Sequence, residues 1–234
     1  RRQRQMCIRD SPETVSVLND LGELCYYQGE YEQALAHFQY VLAIREQVLG
    51  ERHPDTATSL NNLAVVYRYQ GKYNQAEPLY QRALAIREQI LEPGHRDIAE
   101  SLNNLAMAYR AQEKYKQAEP LYQRALAIRQ QALGPEHPST AQSLDNLAVL
   151  YRYQGRYEQA ETLQQEALAV FERILGDEHP DTALALRNLA QLYQALHQYE
   201  KALALYQRAL TIFEQKFSPD HPRLAQLLHN LAWF

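Results

Sequence analysis

One block recurs along the chain at a fixed interval, and that interval restricts the fold before any single residue does. Ser59-Leu60-Asn61-Asn62-Leu63-Ala64 returns as Ser101-Leu102-Asn103-Asn104-Leu105-Ala106 and as Ser143-Leu144-Asp145-Asn146-Leu147-Ala148. Leu186-Arg187-Asn188-Leu189-Ala190 and His229-Asn230-Leu231-Ala232 continue the series, and Leu18-Asn19-Asp20-Leu21-Gly22 precedes it. Each step is 42 residues. A period between about 20 and 50 residues is the mark of a repeat architecture, in which each unit buries its apolar face against its neighbours.

Within a unit the apolar spacing is helical. Leu60, Leu63, Ala64 and Tyr67 fall at i, i+3, i+4 and i+7, one face of a first helix, A. Gln70-Gly71 ends it, as do Gln28-Gly29 and Gln154-Gly155; Glu113 and His197 stand where the other units have that glycine. Those two turns require a positive φ from a residue with a side chain. A second helix, B, follows, with Tyr73, Ala76, Leu79, Tyr80, Ala83, Ile86 and Ile90 at helical spacing, and it runs to about Leu91. Pro78 and Pro120 predict a late or kinked start in two of the B helices. Connectors such as Leu175-Gly176-Asp177-Glu178-His179-Pro180 join B to the next A: glycine stops one helix and proline opens the next.

The expected architecture is an all-α, right-handed superhelical solenoid of antiparallel helix pairs, about eleven or twelve helices in a single domain over 1–234. Residues 1–9 read as the tail of a preceding helix B. Repeats cover 13–50, 55–92, 97–134, 139–176 and 181–218, and 222–234 is a partial helix A. The apolar Ala232-Trp233-Phe234 lacks the polar face expected of a solenoid end, so the chain reads as a piece of a longer protein or as one with a covered end. With 46% hydrophobic residues and a net charge of -4, neither a disordered acidic tail nor a strongly basic nucleic-acid surface is expected. No apolar run approaches the ~20 residues of a membrane span. Cys7 and Cys25 have no partner spacing and read as buried thiols of a cytoplasmic protein.

The order Leu63-Ala64, Tyr67, Gly71, Tyr73, Ala76, Tyr80, Ala83-Leu84 resembles the tetratricopeptide repeat, lengthened here to 42 residues. With Leu-Asn-Asn-Leu-Ala and Leu-Gly-x-x-His-Pro, it resembles the kinesin light chain repeats and their bacterial, often cyanobacterial, relatives. The resemblance covers nearly the whole chain. It implies an adaptor or scaffold that binds protein, and in the bacterial relatives such repeats are often joined to other domains, including signalling ATPases.

No constellation for catalysis or for a metal or cofactor is expected. His53, His95, His137, His179 and His221 recur at the connectors. Helices stacked roughly 8–10 Å apart cannot bring two such rings onto one metal with bonds of about 2 Å. Their expected role is to cap or pack at the start of helix A. No phosphate loop, HExxH or nucleophile elbow occurs.

Binding is expected on the side of helix A that lines the concave face. Two ladders lie there: Asn62, Asn104, Asn146, Asn188 and Asn230, and Arg68, Arg110 and Arg152. Asn61 and Asn103 neighbour the first, and Tyr69 and Tyr153 neighbour the second. An amide offers donor and acceptor to an extended main chain, and arginine offers a fork to a carboxylate. Each repeat would meet about three peptide residues, at ~10 Å per repeat and ~3.3 Å per extended residue. The partner expected is an extended, acidic or polar protein segment with an apolar anchor; neither nucleic acid nor membrane is. Three other readings stay open: amides bonding between repeats, arginines forming a solvated or internally bridged face, and a regulatory array that self-associates through its ends or clamps a neighbouring domain. Arg82, Arg124 and Arg208 on helix B read as a solvated face.

Overall fold

The computed structural model describes residues 12–218 and 221–232. Among them there are eleven helices and no strand. The A helices are α1 (Pro12–Tyr27), α3 (Pro54–Tyr69), α5 (Arg96–Ala111), α7 (Pro138–Tyr153), α9 (Pro180–Ala195) and the shorter α11 (Pro222–Leu231). The B helices are α2 (Tyr31–Val48), α4 (Tyr73–Ile90), α6 (Tyr115–Leu133), α8 (Tyr157–Leu175) and α10 (Tyr199–Lys216). The array is all-α, and its backbone divides into two compact units, Arg1–Ala118 and Glu119–Phe234. Cys7, Trp233 and Phe234 lie outside the described residues; Cys25 is a buried free thiol.

Every A-to-B turn closes in the same way. The N–H of Lys72 donates to the Tyr67 carbonyl at 2.9 Å and that of Gly71 to Arg68 at 3.0 Å, a pair that satisfies the last carbonyls of α3. The same two bonds recur from Glu30 and Gly29, Lys114 and Glu113, Arg156 and Gly155, and Gln198 and His197. The geometry demands a left-handed residue, and Gly71 has φ 72°. Glu113 and His197 adopt it too, each at φ 59°, as their place in the turn required. An L side chain there costs energy that glycine does not. Glu113 is exposed, so Glu113→Gly is expected to raise stability by about 1 kcal/mol, read as a higher urea midpoint. A lower midpoint would show that the turn carries no strain.

The B helices start in one register, at Tyr31, Tyr73, Tyr115, Tyr157 and Tyr199. The late start expected of the two proline-bearing helices does not occur. Pro78 and Pro120 sit inside α4 and α6, past the first turn. The A–B turn fixes the helix start more strongly than the proline can move it.

The histidines open the A helices. In α3, α5, α7, α9 and α11 the residue before the helix is His53, His95, His137, His179 or His221, and its Nδ1 accepts a backbone N–H two residues on. The five bonds run from 3.0 to 3.2 Å. Threonines reinforce three of the joints: Thr56, Thr140 and Thr182 donate to the Gly50, Gly134 and Gly176 carbonyls, each at 2.8 Å. A cap of this kind needs a neutral ring, because a protonated imidazole has no acceptor nitrogen. His221 titrates below the usual imidazole range, because burial disfavours the charged ring and Arg223 repels it. Phe217 stacks on it, with ring centroids 4.0 Å apart. The folded chain therefore takes up this proton less readily than the unfolded chain does. The contribution to stability is whole above about pH 6.5 and is lost as pH falls below it. Amide protection in α11 is expected to fall between pH 7 and 5, and His221→Asn, a cap that does not titrate, should flatten the response. Protection that does not change with pH would remove the cap from the account.

Within each unit, B helices pack against the A helices on both sides. In the first unit Ala34, Leu35 and Phe38 of α2 meet Cys25 of α1 and Leu63 and Val66 of α3. In the second, Ala167, Val170 and Phe171 of α8 meet Ala141 and Leu144 of α7 and Ala185 of α9. Polar edges are paired as well. Gln39 donates to the Tyr67 hydroxyl at 3.0 Å and Gln81 to Tyr109 at 2.9 Å, and in the second unit Gln165 donates to Tyr193 at 3.2 Å. Arg82 and Arg208 keep about two fifths of their side-chain surface exposed, at 39% and 41%, and also form surface ion pairs. Each lies 2.6 Å from a glutamate of the preceding B helix, Glu46 and Glu172.

Candidate peptide-binding face

The A helices carry the candidate residues of both units. In the first unit, Asn61 and Asn103 are buried, at 4% and 6% exposure. Asn61 turns its carbonyl oxygen to the next A helix and accepts the Asn104 amide at 2.9 Å. Asn62 in the same way donates to Asn19 at 3.3 Å. In the second unit Asn188 donates to Asp145 at 2.6 Å. Within each unit the amides therefore link successive A helices: the second residue of a pair, Asn62, Asn104 or Asn188, reaches the first residue of the pair before it, Asn19, Asn61 or Asp145. Asn62, Asn104, Asn146, Asn188 and Asn230 remain half-buried. Asn230 has Arg187 where Asn62, Asn104 and Asn188 find an acceptor, and arginine has none to give, so its buried Nδ2 meets no partner.

The arginines lie lower than a solvated ladder would. Arg68, Arg110 and Arg152 are all half-buried. Arg68 lies over the Tyr69 ring with its guanidinium carbon 4.5 Å from the centroid, and Arg152 lies over Tyr153 at 4.7 Å. Both rings are about half exposed, at 52% and 50%. Tyr69 also meets Tyr26 edge-on at 5.2 Å, beside Tyr27, which is 81% exposed. Arg152 donates to Gln191 at 3.1 Å, and Arg187 to Gln226 at 3.0 Å and to Asn188 at 3.2 Å. These acceptors are neutral amides. Among the described residues neither Arg68 nor Arg152 forms a salt bridge.

The fields of these groups show in their neighbours. Burial pushes the Tyr206 hydroxyl up to about 12, against the pull of Arg152 and Arg187. Arg187 is held below the usual guanidinium range by burial, with the nearby Arg223 and Arg152 acting in the same direction and Asp145 opposing them. Positive charge thus gathers on the A helices of the second unit. In the first unit the exposed Asp20 and Glu23 of α1 stand on the same side as Asn62 and Tyr69 of α3.

One buried constellation escaped the sequence. Arg87 of α4 is 4% exposed and donates to the Asp97 carbonyl at 2.8 Å and the Ser101 hydroxyl at 2.9 Å. Arg45 with Ser59 and Arg129 with Ser143 repeat the contact, at 2.7 and 2.9 Å. The signal was present as a paired exchange. One repeat further on, Phe171 replaces the arginine and Ala185 the serine, and the two share an apolar cluster.

The chain belongs to the tetratricopeptide repeat family: the model of the tetratricopeptide repeat matches residues 13–89, 97–169, 146–215 and 182–233. That family supplies protein–protein interaction modules. Among solved structures the chain is similar to kinesin light chain-like repeat proteins. One, from Podospora anserina, is described as a kinesin light chain of nearly identical TPR-like repeats; it is 28% identical over 89% of this chain and 99% of that one, with a TM-score of 0.69. Another is BtubC (BKLC) of P. vanneervenii, 26% identical over 93% and 88% of the two chains, with a TM-score of 0.72. A Rap protein solved with Competence and Sporulation Factor shares the fold, at 20% identity over 84% of this chain and 53% of that one, with a TM-score of 0.73. No curated protein sequence matches the chain significantly. Among the described residues no helix is long and apolar enough to cross a membrane, and no cluster of His, Cys, Asp or Glu could hold a metal.

Proposed function

We propose that the chain is an adaptor that binds an extended segment of a partner protein along its A helices, with preference for acidic or polar sequences carrying an apolar anchor. The observation that carries this is the pairing of Arg68 with Tyr69 and of Arg152 with Tyr153. Each pair holds a half-buried guanidinium against a half-exposed ring. A guanidinium bonded only to neutral groups retains its attraction for a carboxylate, and the adjoining ring offers rigid apolar area at little entropic cost. Asn62 and Asn104 accompany Arg68 on the A helices of the first unit, and Asn146 and Asn188 accompany Arg152 on those of the second. In this reading their second function is to meet the main chain of the segment, while Asn61 and Asn103 support them from below.

The test is fluorescence anisotropy of labelled acidic and neutral peptides at low and high salt. The wild type should bind acidic peptides more tightly, and less so as salt rises. Substituting Arg68, Arg110 and Arg152 together by alanine should weaken binding at least about 100-fold, the factor given by losing only two charge-assisted hydrogen bonds of about 1.5 kcal/mol each. Affinity unchanged in that variant would end the proposal.

A second reading, an array that self-associates, is favoured by the outer face of α1. Val17, Leu21 and Leu24 are exposed at 56%, 40% and 51%, whereas Leu63 and Val66, which match Leu21 and Leu24 one repeat on, are buried. Light scattering across a dilution series separates the two readings, because self-association makes the mass depend on concentration.

A further inference from the structure

One B-helix position fills the seam beneath the A helices in every repeat: Phe38, Tyr80, Tyr122, Gln164 and Tyr206, each 42 residues from the last. In the first unit the fully buried Tyr80 places its hydroxyl beside Arg68, twelve residues earlier in the chain. In the second unit the Tyr206 hydroxyl donates to Gln194 Oε1, also twelve residues earlier, at 3.0 Å. The same register puts Gln164 of α8 beneath Arg152 of α7.

Gln164 is shorter than the tyrosine it replaces, and it is 1% exposed. Neither its Nε2 nor its Oε1 has a partner, and the Nε–H of Arg152 is buried without an acceptor. Arg152 meanwhile holds Gln191 and covers the Tyr153 ring at the surface. A buried amide with both ends unmet is costly, and a tyrosine here would put one hydroxyl in place of two unmet groups. The unmet set is N–H groups on both residues and one carbonyl oxygen. A carboxylate would serve the N–H groups and leave the carbonyl unmet. An aliphatic side chain would serve nothing. A primary carboxamide serves all of them: its oxygen accepts from Arg152 and Gln164, and its N–H donates to Gln164 Oε1.

We propose that Gln164 and Arg152 form a carboxamide-reading subsite in the second unit, which receives a glutamine or asparagine side chain of the bound segment. The subsite rests on the peptide-binding reading above and adds a specificity to it. The arginines set the preference for acidic segments, and Gln164 sets which neutral residue fits beside Arg152.

The experiment scans Gln, Asn, Glu, Met and Leu through each position of short acidic fluorescein-labelled peptides and reads binding by anisotropy. At one position the wild type should favour Gln or Asn over Met by about tenfold, the loss expected when a buried hydrogen-bonding site meets an analogue that cannot answer it. Gln164→Tyr should erase that preference, leave the remaining acidic affinity in place and raise the urea midpoint. Gln164→Met, matched in length, should also erase it. If the wild type binds acidic peptides without an amide preference, or if either variant keeps the preference, the subsite is overturned and the groove reading stands. If the wild type binds none of the peptides at any salt, the groove reading falls and takes the subsite with it.

Discussion

Replacing Arg87 by alanine is expected to destabilise the first unit by about 3 kcal/mol, read as a drop in the urea midpoint. The side chain is almost fully buried, yet it has no buried carboxylate partner. Its charge is held by the Asp97 carbonyl at 2.8 Å, the Ser101 hydroxyl at 2.9 Å and the half-exposed Glu100 at 3.3 Å. Truncation removes charge-assisted hydrogen bonds and opens a cavity between α4 and α5. Another repeat of the same chain indicates the remedy. Phe171 and Ala185 occupy the corresponding pair of positions within one apolar cluster. Arg87→Phe combined with Ser101→Ala should therefore return to within about 1 kcal/mol of the wild type, because well-packed apolar groups commonly match a buried polar cluster in stability. A midpoint unchanged in Arg87→Ala, or a double variant no better than the single, would show that the arginine is not what joins these helices.

Gly22→Ala is the second substitution with a large expected effect, and it runs against helix propensity. Alanine in a helix is favoured over glycine by about 1 kcal/mol. In α1, however, a methyl group at residue 22 would stand 2.8 Å from one ring carbon of Phe38 and 3.0 Å from another. Phe38 is 2% exposed and enclosed by Leu63 and Val66, so the ring has little room to retreat. Overpacking of this kind costs about 1–3 kcal/mol, and a net loss of roughly 2 is expected. Phe38→Leu in the same background should recover most of it. A more stable Gly22→Ala protein would mean that the ring moves freely.

The helices and their turns were legible because period and punctuation agree. The 42-residue spacing, the glycines after Gln28, Gln70 and Gln154, and the His-Pro pairs all mark the same boundaries. The positive φ of Glu113 and His197 followed from position alone. The late start offered for Pro78 did not occur because local propensity was weighed without the turn that pins Tyr73 at the helix start. The candidate site was harder to see. Periodicity says which residues share a helix side, but not how far each is buried. Asn61 and Asn62 are adjacent in sequence, and only the packing of α3 against α5 shows one as a buried acceptor and the other as half-exposed. Arg87 and Gln164 were missed for the converse reason. Polar residues on helix B looked solvated until the neighbouring A helix was set against them.

The amide links between A helices have a consequence for how the array comes apart. Each link spans 43 residues, one repeat and one more, because donor and acceptor come from different members of the Asn-Asn pair. In the first unit the second repeat is therefore joined to the one before it through Asn62 and to the one after it through Asn61. Arg187 interrupts this chain of custody: it accepts nothing, and Asn230 goes unanswered. In a linear array stability is the sum of local terms and nearest-neighbour couplings, so a weak coupling sets where cooperativity ends. The junction between α9 and α11 has the exposed Arg187–Gln226 bond, 3.0 Å, in place of the half-buried amide link, and is the weaker coupling. Under mild denaturant α11 should detach as a separate step before the rest of its unit melts, and an acceptor restored at residue 187 would merge the two events.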